Sequence, residues 1–294
     1  MTIVVGYLAG KSGDAALYLA AAAAQSARTS VTVATILPKP WNAPSPARID
    51  DAQYAGGTGQ PAAESVQDAQ RLFAALPDGL SVNYHSHADR SASAGLVQVV
   101  DDLNPELLVL GSSANGKPGQ IVVGSTANRL LHSSPVPVAI APRGYRDACT
   151  GGLTRITCAY PGTPESVHVV QRIADLAERL SVSLRVVTFA VRGRAMYPPE
   201  VGLHAEDSIF VAREDRAREL LAQLRVDGVV GQDVVLQVVG GNSWEQALNA
   251  ADWQQGEMLA LGTSPRGEIK RVFLGSRATK IMRHSPVPVL LLPG

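Results

Sequence analysis

The sequence predicts an α/β protein of two tandem, doubly wound domains, each with a five-stranded parallel sheet and four helices. The segments 111–142 and 262–293 are near copies of each other at an offset of 151 residues. Apolar strand-like runs alternate with helix-like runs in both halves of the chain, which is typical of α/β proteins. The strand-like runs are almost continuously apolar, as expected of parallel strands that are covered on both faces.

The length of 294 residues and the internal repeat predict two domains of similar size. We place the first domain at residues 1–146, a linker at 147–153 and the second domain at 154–294. The chain has 26 Lys plus Arg and 26 Asp plus Glu, so its formal charge is zero. We therefore expect neither nucleic acid nor an anionic membrane surface as a partner.

The two cysteines, Cys149 and Cys158, belong to no CxxC motif and no histidine-rich cluster. Neither a zinc site nor a disulfide framework is expected. The N-terminus lacks the basic flank of a signal peptide, and the longest apolar run, Ala15 to Ala24, is too short to span a bilayer. We expect a cytoplasmic protein.

In the first half the predicted strands and helices alternate throughout. Strands are predicted at 2–8, 30–37, 80–87, 107–110 and 135–141, and helices at 15–28, 62–76, 92–103 and 127–132. The alanine-dense run 15–28 predicts a helix that lies close to the sheet. Prolines and glycines in 38–61 predict no regular element, and a loop of this length is either a lid over a site or a disordered excursion.

The second half repeats this order of elements. Strands are predicted at 154–160, 183–190, 233–239, 258–261 and 286–292, and helices at 164–180, 207–224, 242–251 and 278–284. Thr163 and Pro164 stand where an N-cap and a first helical residue are expected. Either Asn242 or Ser243 is expected to cap the third helix, and 191–203 is predicted to be irregular.

The candidate ligand site lies in the repeated segment, where a strand leads through a polar loop into a short helix. Free backbone N–H groups and the positive end of the helix dipole suit an anion at such a helix start. In the alternative interpretation, Ser125 and Ser276 are ordinary N-caps and the glycines only turn the chain. The candidate binding residues are Gly111, Ser112, Gly124, Ser125, Thr126, Gly262, Thr263, Gly275, Ser276 and Arg277.

Other motifs give weaker indications. His85 and His87 alternate onto one face of a strand, a spacing that two metal ligands can use, but no third ligand is evident and we expect no metal. The stretch from Gly111 to Lys117 reads as a P-loop, yet Pro118 stands where a magnesium-binding Ser or Thr is needed. The chain has no GxSxG elbow, and we expect no enzyme.

The whole arrangement resembles the universal stress protein family in its tandem two-domain form. The resemblance rests on the Tyr-ended first strand, the Gly after strand four, the Gly-Ser pair thirteen residues later and the closing Pro-Val-Pro-Val. It implies a Rossmann-like fold related to that of adenine nucleotide alpha hydrolases. It also implies ATP as a ligand, bound by a loop that reads Gly, two residues, Gly, nine residues, Gly, then Ser or Thr.

The outer positions of that loop match in both halves, but other binding positions do not. Ala114 and Pro265 replace the middle glycine, and Leu8 and Pro161 stand where binding members carry an Asp that holds the adenosine. Loss of one charge-assisted hydrogen bond weakens binding by at least about tenfold. Two functions stay open: a stress-response protein that binds a small anion such as ATP weakly or in one half, and a nucleotide-free scaffold for protein contacts.

The closing strands 135–141 and 286–292 are apolar on both faces. In proteins that this chain resembles, such strands lie at the sheet edge and pair antiparallel with another copy. An uncovered apolar edge promotes unwanted pairing. We therefore expect the two halves to pair through these strands within one chain, and the resulting unit can associate again as a homodimer.

Overall fold

The computed structural model describes residues 2–8, 13–39, 60–75, 80–146, 151–192, 203–265, 272–273 and 275–293. The first half contains β1 (Thr2–Gly6), α1 (Asp14–Ala27), β2 (Ser30–Pro38), α2 (Gln60–Ala74), β3 (Val82–Asp89), α3 (Ala92–Leu103), β4 (Leu107–Gly111), α4 (Ser125–Ser133) and β5 (Val138–Ala141). The strands and helices alternate as predicted.

The second half contains the same series of elements and a short additional hairpin. Its elements are β6 (Arg155–Ala159), α5 (Pro164–Arg179), β7 (Ser183–Val191), α6 (Leu203–Val226), β8 (Val235–Gly241), α7 (Trp244–Asn249), β9 (Glu257–Gly262), β10 (Ser264–Pro265), β11 (Val272–Phe273), α8 (Ser276–His284) and β12 (Val289–Leu292). Within the described residues none of the helices is long and apolar enough to cross a bilayer.

One ten-stranded sheet runs through both halves in the order β3-β2-β1-β4-β5-β12-β9-β6-β7-β8. All neighbouring pairs are parallel except β5 and β12, which pair antiparallel with Leu290 opposite Ala139. The predicted pairing of the two halves through their closing strands is confirmed. Each half therefore covers the apolar edge that the other half would leave open.

The core lies in two layers, one on each face of the sheet. Ile3 and Val5 belong to one apolar cluster and Val4, between them, belongs to the other, since successive side chains of a strand point to opposite faces. The buried alanines of α1 lie in the first layer, where small side chains bring the helix close to the strands. Fully covered strands explain the continuous apolar runs in the sequence.

Several predicted boundaries are corrected. Pro38 is the last residue of β2 and Gln60 the first of α2, so residues 40–59 of the predicted irregular segment lie outside the described part. The helix predicted at 207–224 extends over Leu203–Val226. Thr163 is the N-cap of α5 with Pro164 as its first residue, as predicted, and the capping residue of α7 is Ser243, not Asn242.

Outside the sheet, the halves also meet where the second domain begins. Ser26 on α1 donates a hydrogen bond from Oγ to the carbonyl oxygen of Leu153 at 2.9 Å. Arg179 on α5 forms an ion pair with Glu106, which precedes β4, at 3.1 Å. Because both of these side chains are partly exposed, the ion pair contributes at most about 1 kcal/mol. Strand pairing and the two apolar clusters, each of which contains residues of both halves, therefore connect the halves more strongly than this ion pair does.

Candidate functional site

The candidate site in each half lies at the carboxyl edge of the sheet. Gly111 is the last residue of β4 and Gly262 the last of β9, and each of these strands is flanked by the first and last strands of its own half. Loops then lead to the N-termini of α4 and α8. In doubly wound folds ligands bind in the crevice outside the carboxyl ends of the strands.

The N-cap residues of the two short helices are glycines. Gly124 caps α4 and Gly275 caps α8, and no side chain of the described residues makes a capping hydrogen bond at either position. The interpretation of Ser125 and Ser276 as ordinary N-caps is therefore wrong, because each is the first residue inside its helix. The first backbone N–H groups of both helices stay without a side-chain acceptor from the described residues.

The local backbone conformation does not require glycine at either of these two positions. Gly124 has φ −74° and ψ 169°, and Gly275 has φ −59° and ψ 156°, which other residues also adopt. A Cβ at Gly124 would have Ser113 Cβ as its closest described neighbour at 3.7 Å, and a Cβ at Gly275 would meet no described atom within 4 Å. Among the described residues, a Cβ would therefore fit at both helix starts without a close contact.

Ser112 and Thr263, which follow the two strands, turn their hydroxyl groups into the protein. Ser112 is 5% exposed, and its Oγ accepts from the backbone N–H of Val122 at 2.8 Å. Thr263 is 4% exposed, and its Oγ1 donates to the carbonyl oxygen of Leu292 at 2.8 Å. In this arrangement both hydroxyls hold the loop and the closing strand in place. Ser125, Thr126 and Ser276 are at least partly exposed at the helix starts.

In the first half, Arg143 holds the loop between β4 and α4 against the end of β5. Its guanidinium donates to the carbonyl oxygens of Ala114, at 2.8 Å, and of Gly116. Its backbone carbonyl accepts from Gly119 N at 2.8 Å, and its own N–H donates to the carbonyl oxygen of Gln120 at 3.1 Å. Arg143, which lies outside the loop, therefore binds both ends of the segment 114–120.

In the second half, the base of the corresponding loop is the β10–β11 hairpin, in which Ser264 pairs with Phe273. The first half has the same closure, where the N–H of Ser113 donates to the carbonyl oxygen of Val122 at 2.8 Å. Arg277 is exposed beside Ser276 at the start of α8. The sequence of this loop also contains the basic residues Arg266, Lys270 and Arg271, which lie outside the described residues.

The residue that follows the tyrosine after the first strand of each half, Leu8 or Pro161, lacks the acidic side chain expected of an adenosine-binding pocket. Tyr7 is 5% exposed and directs its hydroxyl to Asp14 Oδ1 at 3.5 Å, while Leu8 is half-buried. Burial, and secondarily the negative charge of Asp14, raises the pKa of Tyr7 to about 12. In the second half Tyr160 is buried and Pro161 is exposed. Neither Leu8 nor Pro161 offers a side chain that can accept a hydrogen bond.

The histidine pair does not belong to a larger cluster of metal-ligating residues. The rings of His85 and His87 stack with their centroids 6.5 Å apart on β3, which is an edge strand. In the described part of the chain no group of three or more His, Cys, Asp or Glu residues is placed to hold a metal ion. Cys158 is buried in β6, and burial raises the pKa of its thiol to about 12.

A buried charge cluster lies at the opposite, amino edge of the second-half sheet. Glu257 accepts from Arg185 at 2.8 Å and from Arg155 at 2.6 Å, and Thr157 also donates to it. The side chains of Glu257 and Arg185 are 0% and 3% exposed. Desolvation lowers the pKa of Arg185, and the nearby charge of Glu257 opposes that shift.

Sequence reasoning missed both this cluster and the role of Arg143. Arg155, Arg185 and Glu257 each stand inside or at the start of an apolar strand, and charged residues in such strands are rarely buried unless they are paired. That pattern was visible in the sequence. Nothing in the sequence around Arg143 indicates the two loop carbonyls that it binds.

Comparison with known proteins identifies the architecture. The model of the universal stress protein family matches twice, at residues 1–142 and 152–293. Curated universal stress proteins of Mycobacterium tuberculosis and Mycobacterium bovis are each 60% identical to this chain over 294 residues, which is 100% of both chains.

Solved structures show the same fold. A universal stress protein from Archaeoglobus fulgidus aligns with a TM-score of 0.62 at 16% identity, covering 99% of this chain and 97% of that one. A functionally unknown protein from Pseudomonas aeruginosa aligns with a TM-score of 0.58 at 15% identity, covering 99% and 92%. The double family match and the 60% identity to curated universal stress proteins show that the chain belongs to the universal stress protein family, in its tandem two-domain form.

Proposed function

We propose that this universal stress protein acts in a stress response by binding a small anionic ligand such as ATP, weakly or in only one half. The ligand's negative groups would accept hydrogen bonds from the N–H groups that open α4 and α8. The observation that carries the proposal is the glycine N-cap at both helices, where no described side chain makes a capping hydrogen bond and an added Cβ would meet no described atom closer than 3.7 Å. Such helix starts attract anions through free N–H groups and the helix dipole.

Two features of the site argue for weak binding. Leu8 and Pro161 offer no side-chain acceptor for the adenosine end of a nucleotide. In the first half Arg143 already holds the carbonyls of Ala114 and Gly116, so that loop has less freedom to close over a ligand. The position that corresponds to Arg143 at an offset of 151 is Gly294, which cannot form this contact through a side chain.

The experiment is a calorimetric titration of the full chain with ATP and magnesium, in the wild type and in the variants Gly124→Val and Gly275→Val. Both glycines have backbone angles that valine accepts, and there is room for its Cβ, so the variants should fold. The added methyl groups would fill the space where an anion approaches. We expect the valine in the binding half to weaken ATP binding by at least about tenfold.

Asn249→Val serves as the control because it adds an apolar side chain to the exposed end of a different helix, α7. It should leave both the melting temperature and the ATP titration unchanged. If wild-type protein shows no heat of binding and no shift in melting temperature at millimolar ATP, the proposal is wrong. An undiminished affinity in the double variant G124V/G275V would also contradict it.

A nucleotide-free scaffold for protein contacts is the second candidate. The observation that favours it is the commitment of Ser112, Thr263 and Arg143 to the protein's own backbone, which leaves few side chains for a ligand. Mass spectrometry of small molecules released from denatured, freshly purified protein tests this candidate. A stoichiometric nucleotide in that extract would exclude it.

A further inference from the structure

A cavity lies between α3 and α4 in the first half, away from the loop site. It is an open cleft of about 740 Å³, which falls in the range of small-molecule sites in proteins. Ser91, Ser93 and Val97 line its α3 wall, and Arg129 and His132 line the α4 wall. Arg129 and His132 lie one and two turns into α4, away from the Gly124 N-cap, so this cleft is distinct from the loop site.

The charges around the cleft are unbalanced. Arg129 is exposed and has no ion-pair partner among the described residues, while none of the lining residues is acidic. Three carboxylates lie near the α3 wall in sequence, Asp89, Asp101 and Asp102, and none of them lines the cleft. Asp89 accepts from the N–H of Ser91 at 3.0 Å, and Asp102 accepts from the side-chain amide of Gln98 at 3.0 Å. The side chains that line the cleft therefore carry a net positive charge, which comes from Arg129.

The α3 wall adds hydroxyl groups and an apolar surface. The hydroxyls of Ser91 and Ser93 lie 3.4 Å apart, and Ser91 Oγ also accepts from the N–H of Ala94 at 3.1 Å. Since one hydroxyl hydrogen suffices for the contact between the two serines, the other can be donated into the cleft. The side chains of Ala94 and Val97 supply apolar surface beside these groups.

The second half is built differently at the corresponding place. Its helix α7 begins with Trp244, whose ring lies edge-on to Phe189 with the centroids 6.5 Å apart. The helix α3 begins with Ala92, so the first half has a methyl group where the second has an indole ring. This difference accompanies the open cleft in the first half.

We propose that the cleft between α3 and α4 binds a small organic phosphate. Its phosphate group lies between the guanidinium of Arg129 and the hydroxyls of Ser91 and Ser93, and its apolar body covers Ala94 and Val97. An arginine fork and hydroxyl donors match the geometry and charge of phosphate oxygens. The proposal does not depend on ATP binding at the loops.

The test is an NMR titration of the isotope-labelled full chain with phenyl phosphate and, separately, with inorganic phosphate. We expect phenyl phosphate to shift the amide signals of residues 91–98 and 129–133 in a saturable way. Inorganic phosphate should bind the same place several-fold more weakly because it lacks the apolar part. The variant Arg129→Gln should weaken phenyl phosphate binding by at least about tenfold.

Lys280→Gln is the matched control, because Lys280 stands on α8 at the position that corresponds to Arg129 and is likewise exposed. It should leave the titration unchanged. An undiminished affinity in R129Q, the absence of saturable shifts with phenyl phosphate, or shifts confined to residues 112–126 would overturn the proposal. Equal affinities for phenyl phosphate and inorganic phosphate would contradict the part of the proposal in which an apolar body contributes to binding.

Discussion

Glu257 shows how single buried charges stabilise the second half. Its carboxylate is fully buried and neutralises one of the two arginine charges that it contacts, Arg155 and Arg185. Arg185 is held in addition by the carbonyl oxygen of Ala251 at 2.6 Å and by the ring of Trp253 at 5.2 Å. Removing one partner from such a group leaves an uncompensated buried charge, which costs more than the ion pair contributed.

The substitution Glu257→Gln should therefore lower the free energy of unfolding by about 3 to 5 kcal/mol. Chemical denaturation monitored by circular dichroism measures this change. The control is Glu219→Gln, since Glu219 pairs with Arg216 on the surface of α6 and both side chains are about two-thirds exposed. That change should stay within about 0.5 kcal/mol. Equal effects of the two substitutions would contradict the prediction.

The raised pKa of Tyr7 predicts how the free energy of unfolding changes at alkaline pH. The folded protein holds the Tyr7 proton up to a pKa of about 12, whereas the unfolded chain releases it near 10. The contribution of Tyr7 to the free energy of unfolding is therefore fully present below pH 10. As pH rises from 10 to 12, up to about 2.5 kcal/mol of it is lost. Tyr7→Phe should remove this part of the alkaline loss while leaving stability at pH 7 within about 1 kcal/mol. Urea denaturation at pH 7, 10 and 11.5 compares the two proteins, and parallel pH curves would refute the assignment.

Arg143 is expected to restrain the first-half loop through its contacts with residues 114–120. Arg143→Gln removes the guanidinium contacts to Ala114 and Gly116 but keeps the backbone bonds of residue 143. We expect faster hydrogen exchange in residues 113–120, with little change in melting temperature, because none of these residues belongs to the buried apolar clusters. Arg146→Gln, at an exposed site three residues further on, should leave exchange unchanged. Unchanged exchange in R143Q would show that Arg143 does not restrain the loop.

At the scale of secondary-structure elements, β5 and β12 are the pair of strands that joins the two halves into one sheet. Each has four residues, all buried, and each lies between a parallel strand of its own half and the antiparallel strand of the other. Their continuous apolarity, together with the resemblance to the universal stress protein family, predicted the pairing. The register, with Val138 opposite Leu291 and Ile140 opposite Val289, could not be read from the sequence, because residues on both faces of these strands are equally apolar.

Leu290→Ala should lower the free energy of unfolding by about 2 to 5 kcal/mol, since Leu290 is 0% exposed at this junction and its loss leaves a cavity. Thermal and urea denaturation measure the effect. Val226→Ala provides the contrast, because Val226 is 78% exposed at the end of α6 and its truncation should change stability by less than about 0.5 kcal/mol. A cost below about 1 kcal/mol at Leu290 would indicate that the junction is loosely packed.

At the scale of the whole molecule, the continuous sheet couples the two halves. Unfolding of one half would expose the apolar edge of the closing strand in the other half. We therefore expect one cooperative unfolding transition, with a calorimetric enthalpy close to the van't Hoff enthalpy. Differential scanning calorimetry of the full chain measures both. Two resolved transitions would show that the halves unfold independently.

The amino-acid sequence alone determined the duplication and the order of strands and helices, because these follow from local periodicity and from repeated motifs. Its motifs also indicated the family, and the resemblance to that family, with the apolar closing strands, predicted the pairing of the halves. The tertiary structure alone decided the contacts between residues that are distant in the chain. Arg143 binds a carbonyl 27 residues earlier, and Arg185 meets Glu257 across 72 residues. The cleft between α3 and α4 likewise exists only when two helices pack. Such contacts depend on how strands and helices are arranged in space, which local residue patterns do not encode.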